Sequence, residues 1–167
     1  PNTDFNGDIL VTITVSDGSL TDIDDFILTV TPVNDAPVIG TLANATIEED
    51  GSYQVDLSAD DVDNANDSLI FEATSDNVEV TVVVDGTSLT ATPDADYYGS
   101  ATITVNVSDG DLGDSTSFTL TVNPVNDAPV LGSVEDVTFE EEGSTSIVLT
   151  SSDIDSSDLT YGISGGS

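Results

Sequence analysis

The chain has no lysine, arginine or histidine, so it sets no cationic side chain against its 33 aspartates and glutamates. Salt bridges between side chains are therefore impossible, and nucleic acid and anionic membrane surfaces are excluded as direct electrostatic partners. The same absence removes Schiff-base lysines and the Ser-His-Asp arrangement. Two carboxylates about 4 Å apart repel by ~1 kcal/mol in water and ~4 kcal/mol at an effective dielectric constant of about 20. A folded form therefore needs cations, either bound at sites or held as a dense ion atmosphere.

Cysteine, methionine and tryptophan are absent as well. Without cysteine there is no disulfide framework, no zinc–thiolate site and no cysteine nucleophile. The sequence shows neither a signal-peptide pattern nor an apolar run long enough to span a membrane. It begins in the middle of a repeat. We therefore expect the chain to be a piece of a longer protein or a protomer that assembles with copies of itself.

A seven-residue segment, Pro32–Val38, returns unchanged as Pro124–Val130, at an offset of 92 residues (124 minus 32). The same offset relates Val15–Gly18 to Val107–Gly110. Identical motifs that return at a fixed period indicate a tandem array. A unit of this length is large enough to have its own core. We interpret the repeated segment as a linker, stiffened by its two prolines.

Residues 37–126 are rich in Val, Ile and Thr and alternate between apolar and polar positions, which predicts an all-β unit. We predict a strand A over Val38–Ile47 and a two-residue turn at Asp85-Gly86 between strands D and E. Seven short strands in about 90 residues are typical of an immunoglobulin-like sandwich. The apolar residues that mark the other strands are Tyr53, Val55 and Leu57 on B, Leu69, Phe71 and Ala73 on C, Val78, Val80 and Val82 on D, Leu89 and Ala91 on E, Ile103, Val105 and Val107 on F, and Phe118, Leu120 and Val122 on G.

The period predicts three segments. Residues 1–33 form the C-terminal part of a preceding repeat, 34–126 one complete repeat, and 127–167 the N-terminal part of a following repeat. Two periods would need 17 more residues (twice 92, minus 167), which correspond to most of strands D and E. The flanking pieces have unpaired edges and half a core each, so we expect them to be unstable alone.

The order of the strands in such a sandwich assigns each acidic loop to one of its two ends. Because the strands are antiparallel, the B–C and F–G loops lie at the N-terminal end of the unit, and the A–B and E–F loops lie at its C-terminal end. The acids are Asp60, Asp61, Asp63, Asp67, Asp109 and Asp111 at the first end, and Glu48, Glu49, Asp50, Asp94 and Asp96 at the second. When units stack, acids from two units and the Asn-Asp of one linker should meet at each junction. Carboxylate and amide oxygens in this number favour Ca²⁺, whereas Mg²⁺ demands tighter octahedral geometry.

Four motifs stand at these ends: Val-Asn-Asp-Ala-Pro-Val in the linkers, Glu-Glu-Asp in the A–B loop (48–50), Asp-Val-Asp in the B–C loop (61–63) and Pro-Asp-Ala-Asp-Tyr-Tyr-Gly in the E–F loop (93–99). With them the whole chain resembles bacterial cadherin-like tandem repeats, which occur in large surface adhesins and extracellular filament proteins. The resemblance implies seven-stranded Greek-key cadherin- or immunoglobulin-like β-sandwiches in a linear array, with Ca²⁺ at each junction.

Carried over residue by residue, the resemblance implies two ligand sets. The first junction would use Asp4, Asn34, Asp35, Asp61, Asp63 and Asp109. The second would use Glu48 or Glu49, Asp94, Asp96, Asn126, Asp127, Asp153 and Asp155.

The sequence therefore predicts a non-enzymatic, calcium-binding structural segment of an extracellular fibre or adhesin stalk, at the cell surface or in a biofilm. Its partners are neighbouring repeats or identical protomers, with no nucleic acid and no membrane insertion. Three alternatives stay open. In the first, the half-repeats of successive protomers complement each other head to tail in a filament, although the missing strands favour a segment cut from a longer chain. The loops could recognise a glycan or protein through calcium, or the acids could form only a solvated, salt-adapted surface.

Three Asn-x-Ser/Thr triplets begin at Asn44, Asn66 and Asn106 and are possible glycosylation sites. Asn106 should point outward, because Val105 and Val107 point inward.

Overall fold

The computed structural model describes residues 2–64 and 68–165, which contain β-strands and no α-helix. Within these residues no helix is long and apolar enough to cross a membrane. The strands are β1 (Gly7–Ser16), β2 (Thr21–Val30), β3 (Val38–Ile39), β4 (Ala45–Glu48), β5 (Tyr53–Asp56), β6 (Ala59–Asp60), β7 (Ile70–Ser75), β8 (Val80–Asp85), β9 (Ser88–Pro93), β10 (Gly99–Ser108), β11 (Gly113–Asn123), β12 (Val130–Leu131) and β13 (Ser151–Ser152).

Strands β3 to β11 form a β-sandwich. One sheet has the order β4-β11-β10-β7, the other has the order β5-β9-β8, and β3 pairs separately with β6. Strand β4 runs parallel to β11, whereas the other pairs are antiparallel. The core lies between the sheets, where Leu89, Ile103, Val105 and Leu120 are fully buried. The alternation of buried and exposed residues along β10 shows why this sequence forms strands with one apolar face.

The structure divides two predicted strands. Predicted strand A is two short strands, β3 and β4, which belong to different sheets, and predicted strand B is β5 followed by β6.

The start of predicted strand D was wrong. Val78 is 95% exposed, and β8 begins only at Val80. The side-chain oxygen of Asn77 accepts a hydrogen bond from the Glu79 amide (3.0 Å), and its backbone oxygen accepts one from the Val80 amide (3.2 Å), so these residues turn instead of extending. A side-chain oxygen that competes in this way for nearby amides is a common cause of a turn.

The predicted hairpin turn lies one residue later than expected. Asp85 pairs with Ser88, so the turn is Gly86-Thr87 rather than Asp85-Gly86. The inward residues Val84 and Leu89 face each other across the two strands, and this pairing sets the register. Gly86 has a φ of 60°, which a glycine adopts without steric cost.

The N-terminal hairpin repeats the geometry of β10–β11. Gly7 pairs with Val30 in the same way as Gly99 pairs with Val122, 92 residues later. However, β1 and β2 form a two-stranded sheet of their own, and their apolar face is open. Four of its residues, Ile13, Val15, Phe26 and Leu28, are 47–65% exposed, whereas the corresponding residues Val105, Val107, Phe118 and Leu120 are at most 2% exposed.

The C-terminal segment repeats a second pairing. Strand β12 pairs with β13 through Val130 and Ser152, as β3 pairs with β6 through Val38 and Asp60. Its apolar residues Phe139 and Ile147 are 59% and 50% exposed. The limits of the three predicted segments remain a prediction.

Candidate cation sites at the linkers

Asp127, in the second linker (residues 124–129), lies at the centre of a group of five acids. Glu49, Asp127 and Asp155 form one triad and Asp50, Asp96 and Asp127 form another, and in each triad the carboxylate oxygens lie within 4.8 Å of one another. The four acids around Asp127 come from three separate places: the loop between β4 and β5, the loop between β9 and β10, and the segment after β13. The fold therefore brings acids of two units to one linker.

The loop after β4 ties this linker to the complete sandwich. The Glu49 amide donates a hydrogen bond to the Asn123 carbonyl oxygen (2.9 Å), and Glu49 Oε1 accepts one from the Val125 amide. Glu49 is only 5% exposed. Asp50 and Asp96 both have a φ of 60°, a left-handed conformation that Asp tolerates better than most residues, and the Asp96 amide donates to Asp50 Oδ1 (3.4 Å). Both loops thus aim carboxylates at the linker.

The following segment holds the other side of the linker. The Asp127 amide donates a hydrogen bond to Asp155 Oδ2 at 2.6 Å. Asp153 Oδ1 accepts hydrogen bonds from the amides of Asp155 (2.9 Å) and Ser156 (2.7 Å), which is a local turn closed by an aspartate side chain. Asp153 therefore shapes the loop that presents Asp155.

The charge around Asp127 is unfavourable to its ionised form. Partial burial raises the pKa of Asp127, and the carboxylates of Asp96, Asp155, Asp50 and Glu49 raise it further. The chain has no cationic side chain that could balance this group. Its charge can therefore be balanced only from solution, by a bound cation or by a proton.

The first linker (residues 32–37) repeats the hydrogen bonds that the second linker makes to the segment after it. The Asp35 amide donates to Asp63 Oδ2 at 2.8 Å, and Asp61 Oδ1 accepts from the amides of Asp63 and Asn64, both at 2.8 Å. Asp4 lies beside them: Asp4, Asp35 and Asp63 line one cavity of about 300 Å³.

A further contact joins this linker to the following unit. Asn34 Nδ2 donates a hydrogen bond to Asp109 Oδ2 at 2.7 Å. The pKa of Asp109 is lowered by hydrogen bonds from the Leu112 amide, the Asn34 side chain and the Asp111 amide.

Asp61 Oδ2 is buried and accepts no hydrogen bond from any described residue. A buried carboxylate oxygen without a donor is costly unless a cation approaches it.

Four predicted ligands of the second linker lie outside the two triads, namely Glu48, Asp94, Asn126 and Asp153, and one residue of the triads was missed. Glu48 is exposed and pairs with Asn123 in the sheet, so of the two glutamates it is Glu49 that reaches the cluster. The Asp94 amide donates to the Glu79 carbonyl oxygen (2.7 Å), and its side chain is exposed. Asn126 Nδ2 bonds locally to the Asp127 carbonyl oxygen (2.9 Å). The missed residue is Asp50, whose position before Gly51 in an acidic turn was the available signal.

The predicted glycosylation sites differ in their surroundings. Asn44 Oδ1 accepts a hydrogen bond from the Thr119 amide (2.8 Å), whereas Asn106 is exposed on β10. Asn66 and the B–C loop acid Asp67 lie outside the described residues.

The bacterial Ig domain family model matches residues 34–123, more than half of the sequence, and the chain belongs to this family. This supports the immunoglobulin-like part of the predicted β-sandwich. No curated protein is significantly similar to the chain.

Several solved structures resemble it at low identity. Domains 4 and 5 of the S-layer protein SbsC align with 20% identity and a TM-score of 0.44 over 70% of this chain and 58% of that one. Titin domain M7 aligns with 19% identity and a TM-score of 0.41 over 55% and 98%. An endo-fucoidan hydrolase of glycoside hydrolase family 107 aligns with 24% identity and a TM-score of 0.41 over 72% of this chain. The chain spans about a fifth of that hydrolase, 19% of its length.

The family bears on the expected lack of catalysis. An immunoglobulin domain is a non-catalytic fold.

Proposed function

We propose that the chain is a calcium-binding structural segment of an extracellular fibre or adhesin stalk, in which bound Ca²⁺ makes the junctions between Ig domains rigid. The observation that carries this proposal is the convergence of four carboxylates on that of Asp127 in a chain without cationic side chains. Neither a solvated surface nor a general ion atmosphere requires acids from three separate segments to meet at one linker.

The donor atoms suit this ion. Ca²⁺ takes six to eight oxygen ligands in flexible geometry, and the cluster offers only oxygen atoms because histidine and cysteine are absent. The residues that would hold it at the second linker are Glu49, Asp50, Asp96, Asp127 and Asp155. At the first linker, Asp4, Asp35, Asp61 and Asp63 are the corresponding candidates. The unpartnered oxygen of Asp61 fits such a role.

The second linker is then bound from both sides by residues of the chain. On one side, Glu49 holds the linker backbone through the Val125 amide. On the other, Asp155 holds it through the Asp127 amide. Repulsion between the carboxylates opposes this closed arrangement, and a bound cation removes the repulsion. Free calcium a hundredfold above the dissociation constant would add ~2.7 kcal/mol per site, a large part of the stability of a small domain.

The extracellular location is part of the same proposal. Extracellular modules bind calcium at dissociation constants of about 10⁻⁴–10⁻³ M, so such sites would fill outside cells. Membership of the bacterial Ig family supports a structural role.

The test is a thermal melt of the 167-residue chain in chelator, in calcium, in magnesium and in sodium chloride of matched ionic strength, together with small-angle scattering. We expect calcium to raise Tm well above the rise given by the other salts, and to narrow the distribution of distances between the complete sandwich and the two flanking segments. An equal rise in sodium chloride would instead assign the acids to a salt-adapted surface.

The open face of the β1–β2 hairpin favours a second candidate function, a protomer of a head-to-tail filament. In the complete sandwich, β10 and β11 are flanked by β7 and β4. In a second copy, the sequence counterpart of β4 is residues 137–140, at an offset of 92 residues, and that of β7 is residues 160–165, at an offset of 90 residues. Sedimentation velocity in calcium tests this candidate. Leu28→Asp should abolish any growth of the oligomer with concentration, and Val83→Asp, at an exposed site on β8, should not.

A further inference from the structure

Strand β8 is an open edge of the complete sandwich. In the sheet β5-β9-β8 it pairs with β9 on one side, and no described strand pairs with its other side. The Asp94 amide donates a hydrogen bond to the Glu79 carbonyl oxygen (2.7 Å), so these two residues form a hydrogen-bonded pair. Hydrogen-bonded and non-hydrogen-bonded pairs alternate along an antiparallel ladder. The backbone amides and carbonyls of Val82 and Val84 therefore point away from β9, to the open side.

This edge lacks the features that usually protect an edge strand. Lysine, proline, a bulge or an inward-pointing charge prevents such a strand from pairing with another chain. The chain has no lysine, β8 contains no proline, and its register with β9 is continuous from Val80 to Asp85. Residues 80–84 are Val-Thr-Val-Val-Val, which have high β-propensity and no charge. On the outer face of this run Val83 is 58% exposed. Strand β8 can therefore accept a further strand.

The other outer strands of the two main sheets are less suited to this. Strands β4 and β5 have only four residues each, with Glu48 in the first and Asp56 in the second. Strand β7 has six residues but carries the exposed Glu72 in its interior. Strand β8 also has six residues, and its only acid is Asp85 at the end. It is therefore the longest uncharged edge among these four strands.

We propose that β8 is a docking site for an extended segment of a partner protein that is basic at both ends and adds to the sheet as a further strand. In this mode of binding, main-chain hydrogen bonds supply affinity and side chains supply specificity. The exposed acids Glu79 and Asp85 lie at the two ends of the uncharged run, so they match a segment with Lys or Arg at each end.

A second copy of the chain fits this edge less well. Antiparallel pairing of two β8 strands centred on Val82 would place Glu79 of each copy opposite Asp85 of the other. Like charges directly opposite each other destabilise a sheet, and neither copy has a cationic side chain to offset them. Charge complementarity therefore favours a basic segment of another protein.

The probe is a synthetic peptide with blocked ends, Lys-Val-Thr-Val-Thr-Val-Lys, whose lysines lie opposite Glu79 and Asp85 in antiparallel pairing. Its binding to the 167-residue chain is measured by fluorescence anisotropy near physiological ionic strength, where distant charges are screened. Amide hydrogen exchange is followed by NMR. We expect the Val82 and Val84 amides to exchange rapidly in the free chain and to become protected when the peptide binds. The Val83 amide, which faces β9, should be protected in both states.

Two further peptides separate strand addition from general attraction to an acidic chain. Lys-Val-Thr-Pro-Thr-Val-Lys keeps both charges but lacks the central amide donor, so its binding should be lost. Glu-Val-Thr-Val-Thr-Val-Glu should not bind. On the protein side, Glu79→Gln with Asp85→Asn should weaken binding of the basic peptide about twofold to tenfold, the effect of two exposed ion pairs. The matched control, Asp24→Asn with Asp111→Asn, removes two exposed acids outside β8 and should leave the affinity unchanged.

The contrary outcomes each overturn the proposal. No binding of the basic peptide, or equal binding of the proline peptide, would exclude strand addition. Equal binding of the acidic peptide, or unchanged affinity in Glu79→Gln with Asp85→Asn, would exclude a partner that is basic at its ends. Protection of the Val82 and Val84 amides in the chain alone, rising with concentration, would assign the edge to a second copy. These measurements need no calcium, so they test the edge independently of the proposed calcium function.

Discussion

The backbone amide of Asp127 donates a hydrogen bond to the side chain of Asp155, and 92 residues earlier the amide of Asp35 makes the same bond to Asp63, at 2.6 Å and 2.8 Å. Each linker is thus attached to the unit that follows it by one aspartate pair. On the preceding side, Glu49 attaches the second linker through Val125. A linker held from both sides is already oriented, so a cation placed there stabilises a geometry that the backbone has set.

Replacing the central acid should have opposite effects with and without calcium. In chelator, Asp127→Asn should raise Tm, because it removes the group that the surrounding carboxylates and partial burial destabilise when it is charged. In calcium it should lower Tm and weaken binding about tenfold or more, as for other lost contacts at metal sites. Melts in both media measure the two effects.

The matched control for this change is Asp111→Asn, which removes the same charge at an exposed residue outside both triads. It should shift Tm in the same direction in chelator and in calcium. If Asp127→Asn behaves like Asp111→Asn in both media, the cluster has no special role.

The buried Glu49 should stabilise the sandwich even in chelator. Glu49→Ala leaves the Val125 amide without its acceptor, and a hydrogen bond to a charged group contributes about 1.5–3 kcal/mol. Glu49→Gln keeps an acceptor oxygen, so it should retain most of the stability but lose calcium affinity. Urea denaturation in chelator gives the free energies of unfolding, and equal losses for both variants would argue against the hydrogen bond as the cause.

Two leucines in equivalent places should respond differently to truncation. Leu120 is 0% exposed, whereas Leu28, at the same position of the repeat, is 48% exposed. Leu120→Ala should therefore cost about 2–5 kcal/mol. Leu28→Ala should stay near the value for surface substitutions, within about 0.5 kcal/mol. Urea unfolding followed by circular dichroism compares them. A large loss for Leu28→Ala would show that its face is covered in solution, as the filament candidate requires.

The loss of stability at low pH should depend on Asp76. The Thr102 amide donates a hydrogen bond to Asp76 Oδ1 at 2.7 Å and lowers the pKa of this carboxyl group from its ordinary value of 3.8. A carboxylate whose pKa is lowered in the folded state stabilises it above the unfolded value, and this contribution is lost as the pH falls through the folded value. Asp76→Asn should therefore show a shallower loss of Tm below about pH 4. Parallel curves for the variant and the wild type would refute this.

Much of the sandwich could be predicted from local pattern. Alternation of apolar residues located β10 and β11, because strand periodicity places every second side chain on the core face. The limits of β8 could not be read in this way. Val78 continues the apolar pattern, yet Asn77 turns the chain there through side-chain and backbone hydrogen bonds. A polar side chain that bonds to neighbouring amides overrides periodicity, and the sequence pattern does not show which of several asparagines will do so.

The sequence by itself determined the charge, the absence of cationic side chains, the repeated motifs and the all-β class, because these follow from composition and from spacing along the chain. The tertiary structure alone decided which acids meet. Asp50 enters a triad and Asp94 does not, since the backbone at Asp50 and Asp96 takes a left-handed conformation while the Asp94 amide is bound to Glu79. Carboxylates on different loops are brought within 4.8 Å by strand pairing and loop conformation, and neither is encoded in the spacing of the acids.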